Sequence, residues 1–172
     1  MTKKLIDFKL IVNKKHKDNR GDFHRFFCED VSKALNLNSK ISQVSISNNL
    51  KKGTIRGLHY QLFPNSEAKY IACIKGGLFD IIVDIRKQSK NFMRVYENIL
   101  TENDSNVLFV PKGFAHGFQT LKDNTIIVYG MTKSYSKNHQ SGIRYDDPRL
   151  KISWPIKKVI ISKKDKKLKN IL

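Results

Sequence analysis

Five histidines stand in this sequence, at positions 16, 24, 59, 116 and 139. Imidazole takes up and releases protons near neutral pH, so each is a candidate base or acid. Two of them lie in dense, glycine-punctuated segments, Arg56-Gly57-Leu58-His59-Tyr60-Gln61 and Pro111-Lys112-Gly113-Phe114-Ala115-His116-Gly117-Phe118. Glycine beside histidine lets backbone come close to a ligand or bends a strand, which singles out His59 and His116. Either also fits the role of a satisfied core histidine, and His116, wedged among apolar aromatics, fits it better. Tyr129 and Tyr135 are six residues apart, so on a continuous strand they would share a face and reach one ligand, although tyrosine is common in strands for packing alone. Asp165 ends Ser162-Lys163-Lys164-Asp165, an S-x-x-D capping box that can start a helix with no catalytic duty. Metal binding is the competing chemistry. His59 is followed by Tyr60 and Gln61 rather than by a second histidine two positions on, and no nearby glutamate cluster completes a ligand set, so no metal is expected.

The elements that must hold these residues read mostly as β. Over residues 42–47, polar Gln43, Ser45 and Ser47 alternate with Val44 and Ile46, which predicts a strand dividing a polar face from a packed apolar one. Residues 70–75 and 78–86 are apolar, β-branched runs joined at Gly76-Gly77, the signature of a tight hairpin. Residues 106–110 and 125–129 read as further strands, with a Pro111-Lys112-Gly113 turn after the first. Helix is expected only at residues 29–37 and in a short lysine-rich segment after Ser162. Many short strands separated by turns favour a sandwich or small barrel over a parallel α/β fold. No internal repeat, low-complexity linker or domain boundary is visible, so residues 1–172 read as one domain.

Composition narrows the function classes. With 172 residues and 40% hydrophobic content, the chain can bury one core without staples. Two cysteines, Cys28 and Cys73, make no disulfide framework, and no apolar run is long enough to span a bilayer. The start, Met1-Thr2-Lys3-Lys4-Leu5-Ile6-Asp7, is interrupted by charge where a leader needs an apolar stretch, so a reducing cytoplasm is expected. The net charge of +18 invites a nucleic-acid reading. Lysines spread along the whole chain as KK pairs, without a nucleic-acid-binding motif, fit a solvated surface better, while the same field would attract a pyrophosphate-bearing small molecule.

Taken together, residues 56–61, Asp80-Ile81-Ile82-Val83-Asp84-Ile85-Arg86, residues 111–118, Gly142-Ile143-Arg144-Tyr145-Asp146-Asp147-Pro148 and Trp154-Pro155 resemble the dTDP-4-dehydrorhamnose 3,5-epimerase family. Order and spacing match from Asp18-Asn19-Arg20-Gly21 to Asp165. The resemblance implies a mostly β, cupin-like jelly-roll barrel with a few short helices, a homodimer with exchanged N-terminal strands, no cofactor, and a nucleotide-diphosphate sugar as substrate. A place in bacterial surface polysaccharide synthesis comes with it.

Carried over position by position, the resemblance makes His59 the base and Asp165 the carboxylate that orients it. Tyr129 becomes the acid and Lys69 the cation near the keto oxygen, while Tyr135, His116 and Asp80 stand around the sugar. Arg20 and Arg56 match diphosphate-binding arginines, whose forked donors suit phosphate oxygens. Phe23, Gln43, Ser45 and Ser47 match further substrate-binding positions. Arg56 and His59 would face opposite ways on an unbroken strand, so a bulge at Gly57 is implied. The chain departs from the family pattern at Arg25, Ser45 and Gly130, where glutamate, asparagine and lysine are usual. These changes leave open a GDP- or CDP-linked hexose or heptose, and inversion at C3 alone. A ketoisomerase on the same scaffold and a non-catalytic binding module are the competing functions.

Overall fold

The computed structural model describes residues 7–37 and 40–171; the stretch before Asp7, on which the leader reading rests, lies outside them. Two antiparallel sheets face each other. The first has strand order β1 (Lys9–Val12), β9 (Asn106–Val110), β6 (Lys69–Lys75), β11 (Thr125–Met131), β4 (Gln43–Asn49). The second runs β12 (Gln140–Gly142), β5 (Thr54–Gln61), β10 (Phe114–Thr120), β7 (Gly77–Asp84), β8 (Val95–Thr101), with β13 (Ile160–Ile161) laid parallel on β5. A separate ribbon, β2 (His16–Asp18) and β3 (Gly21–Phe23), stands apart from both sheets. From β5 to β7 and again from β8 to β11 the chain alternates between the sheets, which is the cupin-like jelly-roll arrangement anticipated from sequence.

The period-two alternation of the strands builds three apolar layers. Between the sheets lie Ile71, Leu78, Ile82, Leu108, Phe118 and Ile127. Outside the second sheet, Ile55, Leu58, Ile81, Val83 and Ala115 pack under Ile143, Leu150 and Trp154. Outside the first, Tyr70, Ala72 and Phe109 are covered by Leu37, Phe26 and Phe27 near α1 (Glu29–Ala34). The space between the sheets is apolar at one end and polar at the other, and the polar end becomes the site.

Several expectations change. Gly76-Gly77 is not a hairpin: β6 pairs with β11 and β9, β7 with β10 and β8, so the glycines carry the chain from one sheet to the other. Gly76 has φ +82°, and a Cβ there would lie 2.4 Å from Thr125 Oγ1, so only glycine fits the corner. On β4 the polar face turns inward and the apolar one outward, leaving Val44 61% and Ile46 65% exposed. The expected helix at residues 29–37 spans only Glu29–Ala34. The second helix is the single turn α2 (Lys163–Lys166). Cys28 and Cys73 are both free thiols. Among the described residues no helix is long and apolar enough to cross a membrane.

Candidate active site

The polar end of the interior is a cavity of about 730 Å³. One wall is β5 and β10 with α2 beside them, supplying Arg56, His59, His116 and Asp165; the other is β4, β6 and β11, supplying Ser45, Ser47, Lys69 and Tyr129. His59 and Tyr129 therefore enter from facing sheets.

The first wall depends on an irregular register. His116 is paired with His59, but Phe118 with Arg56, so Gly57 and Leu58 together oppose Gly117. The bulge inferred from sequence is there, and with it Arg56 and His59 both reach the cavity. Glycine is required on both sides: a Cβ on Gly57 would lie 2.5 Å from Gly117 Cα, and one on Gly117 2.9 Å from the Arg56 carbonyl oxygen. Ile143 grips the bulge from outside, its N–H donating to the Leu58 carbonyl at 2.9 Å and its own carbonyl accepting from Leu58 at 3.1 Å.

Two histidine–aspartate pairs result. His59 Nε2 lies 2.8 Å from Asp165 Oδ1. Ser162 Oγ accepts the Asp165 N–H at 3.0 Å, so the capping box is real, while the carboxylate itself is turned to His59 and to the Gly57 N–H at 3.4 Å. Burial works to raise the Asp165 pKa, but the bond and charge of His59, the Gly57 N–H and Lys164 outweigh it and hold the carboxyl below its ordinary value. His116 Nε2 lies 2.6 Å from Asp80 Oδ2, with both side chains almost wholly buried. Tyr129 stands edge-on to His116, ring centroids 6.2 Å apart. Burial and then the Asp80 charge push the Tyr129 phenol above its ordinary pKa, against the pull of Arg56. Lys69 Nζ donates to the His59 carbonyl at 3.1 Å.

The remaining expected residues divide. Gln43 is next to the cavity rather than on its wall: its Nε2 donates to Ser45 Oγ at 2.9 Å and its Oε1 accepts the Tyr135 N–H at 2.9 Å. Tyr135 lines the cavity from beyond the end of β11, not from one continuous strand with Tyr129. Arg20 and Phe23 do not reach the cavity of their own chain; they sit on the projecting ribbon, with the Arg20 side chain 85% exposed and tied to Asp18 at 2.7 Å, and Phe23 70% exposed. Of the three departures, only Ser45 lines the cavity. Arg25 is exposed just past the ribbon, and a side chain at Gly130 would run into Ile41 and Phe26 on the opposite face of β11.

Two contributors were not anticipated. Buried Asn49 accepts from Arg56 Nε at 2.8 Å and so aims the guanidinium; it extends the polar alternation of β4 by one step, a signal present in the sequence. Gln140 accepts from the Tyr135 hydroxyl at 2.7 Å and from Lys164 Nζ at 2.5 Å, a meeting of β12 and α2 with no sequence signal.

The sequence profile of the dTDP-4-dehydrorhamnose 3,5-epimerase family matches residues 2–172. The chain belongs to this family. Its members are isomerases. The chain is 38% identical to the dTDP-4-dehydrorhamnose 3,5-epimerase of Sinorhizobium fredii over 94% of its own length and 83% of the relative's. It is similar to the crystal structure of the Bacillus anthracis enzyme with TDP and pyrophosphate bound, at TM-score 0.93 and 38% identity over 95% of this chain and 94% of that one. It is also similar to the Legionella pneumophila epimerase in complex with dTDP-4-keto-L-rhamnose, at TM-score 0.91 and 33% identity over 98% and 90%.

Proposed function

We propose that this protein is a nucleotide-sugar epimerase that inverts C3 and C5 of a dTDP-linked 4-keto-6-deoxy sugar by base and acid on opposite faces of the ring. The observation that carries the reading is that His59, backed by Asp165, and Tyr129 enter one cavity from facing sheets. A C4 ketone acidifies the hydrogens on C3 and C5. With Nε2–H donated to Asp165, His59 Nδ1 keeps its lone pair to take such a proton, and the carboxylate stabilises the imidazolium that forms. The electron pair of the broken C–H bond moves into the enolate, whose oxygen gains charge that the ketone lacked, and the Lys69 ammonium stabilises that charge. The phenol, kept protonated by its raised pKa, gives its proton to the other face of the carbon. Exchange with water then removes the proton from His59 and restores it to Tyr129. No electron leaves the sugar, so the chemistry requires no redox partner.

Arg56, aimed by Asn49, is suited to the diphosphate. β1 lies along β9 of its own chain, so the exchange between subunits is assigned to the β2–β3 ribbon, which would carry Arg20 and Phe23 of one copy to the cavity of the other. The exposed Val44 and Ile46 beside the cavity favour such a homodimer. A role in surface polysaccharide synthesis is part of this proposal. The test is incubation with dTDP-, GDP- and CDP-linked 4-keto-6-deoxy sugars in deuterated water, followed by mass and proton spectra. The dTDP sugar should take up deuterium at C3 and C5 with inversion at both. Deuterium at C3 alone would reduce the activity to a C3 epimerase, and no exchange with any of the three would overturn the reading.

A further inference from the structure

We propose that Glu67 is a positioning residue for Lys69, fixing the ammonium where it meets the developing enolate oxygen; this rests on the role given to Lys69 above. Glu67 stands just before β6, two residues from Lys69, and nothing in the sequence-based reading involves it. Its carboxylate lies 3.3 Å from Lys69 Nζ, and the two side chains are only 5% and 11% exposed. Lys69 is its single charged partner among the described residues. A carboxylate so deeply buried is costly to keep unless its charge is used, and an ammonium in the same place needs a counter-charge to stay put.

The geometry gives the pair two anchors. On one side Lys69 Nζ donates to the backbone carbonyl of His59, which belongs to the base itself; on the other it is drawn to Glu67. The ammonium is thereby held between the backbone of the base and the residue that leads into β6. Without the carboxylate, a flexible four-carbon chain would keep one carbonyl as its partner, and the cation would lose its alignment with the enolate oxygen. Alignment matters more in the transition state than in substrate binding, because the charge it meets exists only after the proton has left.

The experiment is a double-mutant cycle with Glu67→Gln and Lys69→Met, read by kcat, KM and dTDP affinity. Glu67→Gln is expected to lower kcat about tenfold to a hundredfold while KM and dTDP affinity stay within about twofold, the signature of lost transition-state stabilisation. In the Lys69→Met background the same substitution is expected to change kcat by less than about twofold, because the group it positions is gone. An equal loss in both backgrounds, or a fall in dTDP affinity matching the fall in kcat, would show Glu67 to be structural and overturn the proposal. If Glu67→Gln does not fold, Glu67→Asp takes its place: a loss of kcat of severalfold that vanishes in the Lys69→Met background supports the positioning role, and a loss that persists overturns it. Failure of the epimerase reading is seen separately, as absence of exchange in the wild-type protein.

Discussion

His59 and His116 are register partners on β5 and β10, and each directs Nε2 to an aspartate, yet the two pairs are built to opposite ends. The His59 side chain is 31% exposed at the cavity and its aspartate comes from α2, more than a hundred residues away in the chain. His116 is 4% exposed, and its aspartate sits on the adjacent strand β7, register partner of Phe118, with no exposure at all. An imidazole must be reachable by substrate to exchange a proton with it; one sealed between strands can shape a wall and hold a neighbouring ring, here Tyr129. On the proposed mechanism, identical side-chain pairs divide into a base and a scaffold because of burial, not because of their own chemistry.

The sharpest way to break this comparison is His59→Ala. Hydrogen exchange at C3 and C5 should fall by about a thousandfold or more, the upper range for loss of a general base, with dTDP affinity nearly intact by calorimetry. Retained exchange would move the base elsewhere, with His116 first in line. Next comes Asp165→Asn, which keeps shape but offers the imidazole no charge: kcat should fall about a hundredfold with KM little changed, as measured by steady-state kinetics.

His116→Ala should reverse the ranking of effects. Leaving Asp80 buried without its partner should destabilise the fold by about 3 kcal/mol, read as a lower midpoint in denaturant titration, while exchange at C3 and C5 falls only about tenfold. Should this variant match His59→Ala in exchange and stay as stable as wild type, the division of labour would be wrong. The smallest effect is on acid stability. The Asp165 carboxyl is depressed in the folded state, so its contribution is complete above the unfolded value and is lost as pH falls through the folded one. Melting curves of wild type and Asp165→Asn should therefore converge below about pH 4, the ordinary carboxylate range, and differ most above it.

Much of the site could be read along the chain because it is written in short segments. Residues 56–61 and 111–118 carry both histidines and the glycines that let the strands meet, and the division of β4 into a polar and an apolar face is plain in its alternation. The capping box at Ser162 was equally legible as a local motif. Its second use came only from the family resemblance, since the turn toward His59 is made by a carboxylate that local pattern assigns to helix initiation. The alternation on β4 also misled, because period two says which residues share a face but not which face looks inward.

By itself, then, the sequence determined the strand periodicity and the residue types available for proton transfer, since these follow from spacing and composition, while the bulge at Gly57 was implied only by the family resemblance. Tertiary structure decided the rest. It sent the chain across at Gly76-Gly77 rather than back, set His59 and Tyr129 on facing sheets, and buried one aspartate–histidine pair while opening the other. Those outcomes depend on which strands become neighbours, and neighbours are chosen by the packing of the whole core rather than by any segment within it.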